Sequence, residues 1–119
     1  MAIEFGIKDR AVGPKAHVVS ISGEIDLFTA PIFKQRVMAP VAAGVEHVVV
    51  DLTEATFVDS SSLGVLIGAH RQLKARGGRL VIACANEAIV KTFSITGLDG
   101  VFGLVDSVEV ALGENAAAA

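Results

Sequence analysis

Carboxylate and serine side chains gather in three short stretches: Glu24 and Asp26, then Asp51 and Glu54, then Asp59 followed by Ser60, Ser61 and Ser62. Carboxylates at such spacing can hold a cation or move a proton, and a serine hydroxyl can attack an acyl or phosphoryl centre or accept a group. The stretches come after apolar runs that read as strands, and open α/β sheets place their sites at the carboxyl ends of strands. Serines at a helix start also satisfy backbone amides that lack an intrahelical partner, so capping alone accounts for the run of hydroxyls.

The same residues constrain enzyme chemistry. The string Ser60-Ser61-Ser62-Leu63-Gly64 approaches the G-x-S-x-G nucleophile elbow, which needs a tight strand-turn-helix junction. A strand ending at Leu52 leaves seven residues before Ser60, so the elbow is not expected. His17, His47 and His70 lie on or beside predicted elements and read as structural, which leaves a serine nucleophile without a base. No histidine pairs with another His, Cys or acid at metal-ligand spacing and no G-K-[ST] phosphate loop exists, so neither a metal nor another cofactor is expected. A phosphoacceptor receiver domain fits Asp51 behind Val48-Val49-Val50, with Glu24 and Asp26 as cation ligands, but the lysine it requires after the last strand is missing beyond Lys91.

The elements that must position these groups follow from periodicity. Ile3, Phe5 and Ile7 alternate with polar or small residues, as an edge strand does, and Gly13-Pro14 turns the chain into a second, antiparallel strand over His17 to Ser22. Thr29 can cap a helix with Pro31 at its second position, and Pro40 should end or bend that helix near Met38. His47 to Leu52 reads as a central strand buried on both faces. The strongest helix runs from Ser60 to Arg76, with Asp59 as N-cap, Leu63, Leu66, Ile67, His70 and Leu73 on one stripe, and Gly77-Gly78 closing it. Arg71, Lys74 and Arg76 form a solvated basic end that complements the helix dipole. Gly64 and Gly68 strip side chains from one face, which is expected to lie against the sheet or a partner, with packing inside the domain the favoured case. Leu80 to Cys84 is a further buried strand with Cys84 a small core residue, and Asn86 caps a helix that stops at Gly97. A short strand near Val101 to Leu104 and a helical turn from Ser107 complete the pattern. The expected architecture is α/β: a small mixed β-sheet, with central parallel strands and an antiparallel N-terminal edge, covered by about four helices.

With 119 residues, 52% of them hydrophobic and 19% charged, the chain can bury a core of its own. Residues 1–112 are expected to form a single domain and residues 113–119 a frayed tail. A formal charge of −3 without long runs of like charge gives no reason to expect direct nucleic-acid binding. Apolar stretches such as Val37 to Val45 are too short to insert in a membrane, the start lacks the pattern of a secretory signal, and the single cysteine fits a reducing cytoplasm.

Gly23-Glu24-Ile25-Asp26, Thr29-Ala30-Pro31, Val48-Val49-Val50-Asp51-Leu52, Phe57-Val58-Asp59-Ser60-Ser61-Ser62-Leu63-Gly64, Gly77-Gly78, Thr96-Gly97-Leu98 and Phe102 resemble, in that order, the STAS-domain anti-sigma factor antagonists. The D-S-[ST]-G-L-G type motif at the start of the long helix is the most specific part, and the G-E-[IL]-D loop supports it. The resemblance implies a small mixed-sheet domain without catalysis of its own. Its unphosphorylated form binds an anti-sigma factor with serine-kinase activity, so that a sigma factor is released. Phosphorylation of a motif serine switches it off, and a PP2C-type phosphatase restores it. By position the acceptor is Ser61, with Ser60 and Ser62 as alternatives. Glu24, Asp26, Asp59 and the three serines form the partner-facing surface. The chain departs from the family at Ser62, where glycine is usual, and at Pro40, where relatives commonly continue the first helix. The same resemblance also fits an interaction module of a larger signalling or transport assembly.

Overall fold

The computed structural model describes residues 5–118, with side chains as far as Gly113. Five strands form one sheet in the order β1-β2-β3-β4-β5, comprising β1 (Gly6–Val12), β2 (Ala16–Ile25), β3 (His47–Val58), β4 (Arg79–Ala83) and β5 (Gly103–Val105). β1 pairs antiparallel to β2, from Gly6 opposite Ser22 to Val12 opposite Ala16. The other pairings are parallel. The mixed sheet with an antiparallel N-terminal edge is therefore the one the sequence predicts. Ile3, expected to open the edge strand, lies outside the described residues.

Helices α1 (Ala30–Ala42), α2 (Ser60–Ala75) and α3 (Glu87–Ile95) link the parallel strands, a 3₁₀ turn at Leu98–Gly100 precedes β5, and α4 (Val108–Ala118) follows it. α4 takes in most of the segment expected as a tail. Strand alternation divides the apolar side chains between two layers. Val19, Val48, Val50, Leu80 and Ile82 pack with Phe33, Leu66 and Phe93 from the first three helices. Val18, Val49 and Val81 pack with Ala111 of α4. The consecutive valines of β3 supply both layers. Each fully buried Val, Leu or Phe contributes about 1.5–3 kcal/mol relative to exposure.

Several sequence expectations need correction. β3 does not end at Leu52: pairing with β2 continues through Ser22 opposite Glu54 and Glu24 opposite Phe57 to Ile25 opposite Val58, with register shifts on the way. Asp51 and Glu54 thus sit on β3 and not after it, and Glu24, expected after a second strand ending at Ser22, lies on β2, which the same pairing carries to Ile25. α1 does not stop near Met38 but passes through Pro40 to Ala42. Proline removes one backbone N–H hydrogen bond close to the helix end, while Pro40 and Val41 are both buried. Arg76 is more than a solvated charge, because its guanidinium donates to the carbonyls of Val41 at 2.6 Å and Val45 at 2.7 Å and so ties the end of α2 to the end of α1. After it Gly77 turns the chain at φ 80°, and a side chain on Gly78 would stand 2.3 Å from the Glu46 carbonyl.

Candidate functional site

The junction of β3 and α2 is the centre of the site. Asp59 alone separates Val58 from Ser60, and its amide donates to the Ile25 carbonyl at 3.1 Å. That bond joins the ends of β2 and β3, so Glu24 near the end of β2 and Asp26 just beyond it stand beside the first turn of α2. The Asp59 carboxylate caps the helix as expected: Oδ1 accepts from the Ser62 amide at 3.1 Å and from the Ser62 hydroxyl at 3.0 Å.

The three serines have different environments. Ser60 and Ser61 are exposed, whereas Ser62 is fully buried, the sole buried polar residue among those described. Helical phase explains the difference, because Ser62 precedes Leu66, Ala69 and Leu73 at spacings of four, three and four and lies on the buried stripe. Its hydroxyl is turned inward onto Asp59 and out of reach of solvent. The residue that departs from the family pattern therefore strengthens the cap and adds nothing to the outer surface.

Asp26 shapes its own loop. Its Oδ1 accepts from the amides of Phe28 at 2.9 Å and Thr29 at 3.0 Å, while the Asp26 amide donates to Thr29 Oγ1 at 2.9 Å. The first bond of α1 runs from the Ala30 amide to the Asp26 carbonyl at 2.8 Å. Capping by the Thr29 side chain, the sequence expectation, is absent, and the Asp26 carboxylate takes that part. The loop it braces carries Leu27 and Phe28, 71% and 86% exposed, with the half-exposed Phe57 on β3 opposite the exposed Glu24. Sequence reasoning missed these apolar residues. Their signal was two adjacent large apolar side chains in a turn between a strand and a capped helix, where neither can reach the core.

Between α1 and α2 runs a groove of about 710 Å³, lined by Ser61 and Leu27 as well as by Gly64 and Gly68. A Cβ built on either glycine meets no heavy atom within 4 Å. The favoured expectation of close packing inside the domain is therefore overturned, and the bare face of α2 opens onto the groove.

Asp51 belongs to a different place. Strand alternation puts it with Val49 on the α4 side of the sheet, where its carboxylate accepts from Ser20 Oγ at 3.1 Å and from the Thr53 amide and hydroxyl at 3.0 and 2.6 Å. It is not gathered with Glu24, Asp26 and Asp59. The strand-turn-helix junction at Ser60 is in fact tight, contrary to the spacing argument made from Leu52. It lacks the strain of a nucleophile elbow, since Asp59 is extended at φ −94° and no non-glycine residue among those described has positive φ. No histidine hydrogen-bonds a serine among the described residues. His17 Nε2 is 3.1 Å from Asp9 Oδ1, and the Nδ1 atoms of His47 and His70 are buried without a partner.

Burial pushes the Cys84 thiol above its ordinary range, as suits an inert core cysteine. Among the described residues no three His, Cys, Asp or Glu side chains group as metal ligands, and no helix is long and apolar enough to cross a membrane.

The family model for the STAS domain matches residues 8–111. The anti-sigma-B factor antagonist of Listeria monocytogenes is 35% identical over 103 residues, covering 85% of this chain and 87% of that protein. The anti-sigma-B factor antagonist of Bacillus subtilis is 31% identical over 86 residues, covering 72% of this chain and 78% of that one. Among solved structures, an anti-sigma factor antagonist from Mycobacterium paratuberculosis superimposes with a TM-score of 0.85 at 30% identity, covering 93% of each chain.

Proposed function

Since this chain belongs to the STAS domain family, we propose that it is an anti-sigma factor antagonist whose unphosphorylated form binds an anti-sigma factor and thereby releases a sigma factor. The partner is an anti-sigma factor that is also a serine kinase, and the acceptor of its phosphoryl group is Ser61. On this reading the chain works in the cytoplasm and has no turnover of its own. The kinase transfers the γ-phosphoryl group of ATP: a bond forms from Ser61 Oγ to phosphorus, the bond to the ADP oxygen breaks, and the hydroxyl proton is lost. A PP2C-type phosphatase hydrolyses the ester and restores the serine.

The observation that carries the choice of serine is the contrast in exposure at the start of α2, with Ser61 open on the groove and Ser62 fully buried. Ser60 is exposed but does not line the groove. The partner-facing surface comprises Glu24, Asp59, Ser60 and Ser61, with Leu27 and Phe28 as its apolar part. Asp26 and Ser62 act on it indirectly, by bracing the loop and the cap.

A mechanism for the switch follows from electrostatics. Phosphate at Ser61 adds about −1.5 to −2 charges in the first turn of a helix, where free amides and the dipole tolerate an anion, so the fold survives. The new charge stands beside Asp59. Burying it against a partner without a counter-charge costs several kcal/mol, and each ~1.4 kcal/mol lowers affinity tenfold.

Labelled ATP and the partner kinase test this reading. The wild type, Ser60→Ala and Ser62→Ala should take up label, and Ser61→Ala should not, while Ser61→Asp should bind the anti-sigma factor at least about a hundredfold more weakly with an unchanged circular dichroism spectrum. Label retained by Ser61→Ala overturns the site. Self-labelling without the kinase overturns the absence of turnover.

A further inference from the structure

The groove between α1 and α2 holds an unused charge. Among the described residues Lys34 is the only charged side chain that lines it, is exposed, and makes no hydrogen bond or ion pair. Other cations of this region are committed, Arg36 to Asp9 at 2.7 Å and Arg76 to two carbonyls.

The two helices follow the parallel strands β2 and β3, so they run in the same direction from the same end of the sheet. Ala30 and Ser61 both line the groove near their helix starts, and Lys34 follows Ala30 by one turn. Helical side chains lean toward the N-terminus of their own helix. From position 34 a four-carbon stem leaning this way is long enough to bring an ammonium toward the end of the groove where Ser61 lies. Asp59, Asp26 and Glu24 gather at the strand ends and repel an anion on Ser61, whereas Lys34 attracts it from across the groove.

We propose that Lys34 is the counter-ion of phosphorylated Ser61, and that the ion pair spans the groove and closes it to a partner. The proposal rests on the assignment of Ser61 as acceptor. It adds an intramolecular component to the switch: besides carrying repulsive charge, the phosphate is drawn over the apolar groove that Gly64 and Gly68 leave open.

The test uses full-length chain with phosphoserine installed at position 61 by genetic encoding, so it requires no kinase. The second ionisation of the phosphate is followed by phosphorus NMR in the otherwise native chain, in Lys34→Gln, in Lys34→Arg, and in Lys91→Gln as a control at an exposed position on α3. Lys34→Gln should raise the phosphate pKa by about half a unit, with Lys34→Arg and Lys91→Gln close to the native value. The Lys34 side-chain signals should move when position 61 changes from serine to phosphoserine. A Lys34→Gln titration that coincides with the native one, or Lys34 signals that stay still, overturns the ion pair. Binding of the anti-sigma factor is measured separately: phosphoserine-61 chain that binds as tightly as unmodified chain overturns the functional reading, and the titration still decides the ion pair.

Discussion

Asp59 Oδ1 accepts both the amide and the hydroxyl of Ser62, at 3.1 and 3.0 Å, at the point where β3 gives way to α2. One carboxylate oxygen thus caps the helix and satisfies the buried Ser62 hydroxyl. Removing either partner has unequal consequences, because an unpaired buried hydroxyl costs more than a missing one. Asp59→Ala should lower unfolding stability by about 1–3 kcal/mol. Ser62→Ala should cost less than about 1 kcal/mol, since the hydrogen bond from the residue-62 backbone N–H to Asp59 remains. Urea denaturation of the two variants checks the order.

Leu27 and Phe28 stand out from a loop that Asp26 holds with its own carboxylate. They contribute little to the core, so Leu27→Ser and Phe28→Ser should leave stability within about 0.5 kcal/mol of the wild type. If this loop meets the anti-sigma factor, each change should weaken binding by about 1–2 kcal/mol, roughly five- to thirtyfold. Calorimetric titration beside thermal melts separates the two effects.

Gly68 lies in a helix interior with open space beside it. Gly68→Leu should therefore stabilise the fold by roughly 0.5–1 kcal/mol through helix propensity. The leucine would also fill part of the groove, so partner binding should fall while the melting temperature holds or rises. A marked drop in melting temperature would show that the groove is tighter than described.

His70 meets the edge of Phe102 with ring centres 5.5 Å apart. Burial, with a smaller contribution from the Lys74 charge, holds its pKa below the ordinary 6.5. A base with a lowered folded pKa is protonated more readily in the unfolded chain. Its contribution to stability is therefore full above pH 6.5 and is lost as pH falls through the folded value. Unfolding free energies of wild type and His70→Gln, compared from pH 8 downward, should show the wild type losing the larger amount below 6.5. Parallel profiles would refute it.

Much of the architecture was legible because it depends on local chemistry. Alternating side chains mark strands, three- and four-residue spacings mark helices, and Asp59 and Asn86 accept the amides of their own helices. The D-S-S-S motif, the G-E-I-D stretch with Glu24 and Asp26, and the family followed from residue identity and order. Even the burial of Ser62 was implicit in its spacing from Leu66, Ala69 and Leu73.

What only the tertiary structure decided depends on partners distant in the chain. β3 extends beyond Leu52 because β2 is there to pair with it, and polar residues such as Thr53 and Glu54 carry no apolar signal of a strand. α1 survives Pro40 because burial of Pro40 and Val41 outweighs a lost bond at the helix end. Whether two glycines invite close packing or leave a groove is set by the separation of α1 and α2, which side chains elsewhere on both helices determine. Such non-local contacts have no fixed spacing in sequence, so the surface around Ser61 appears only when the helices are docked on the sheet.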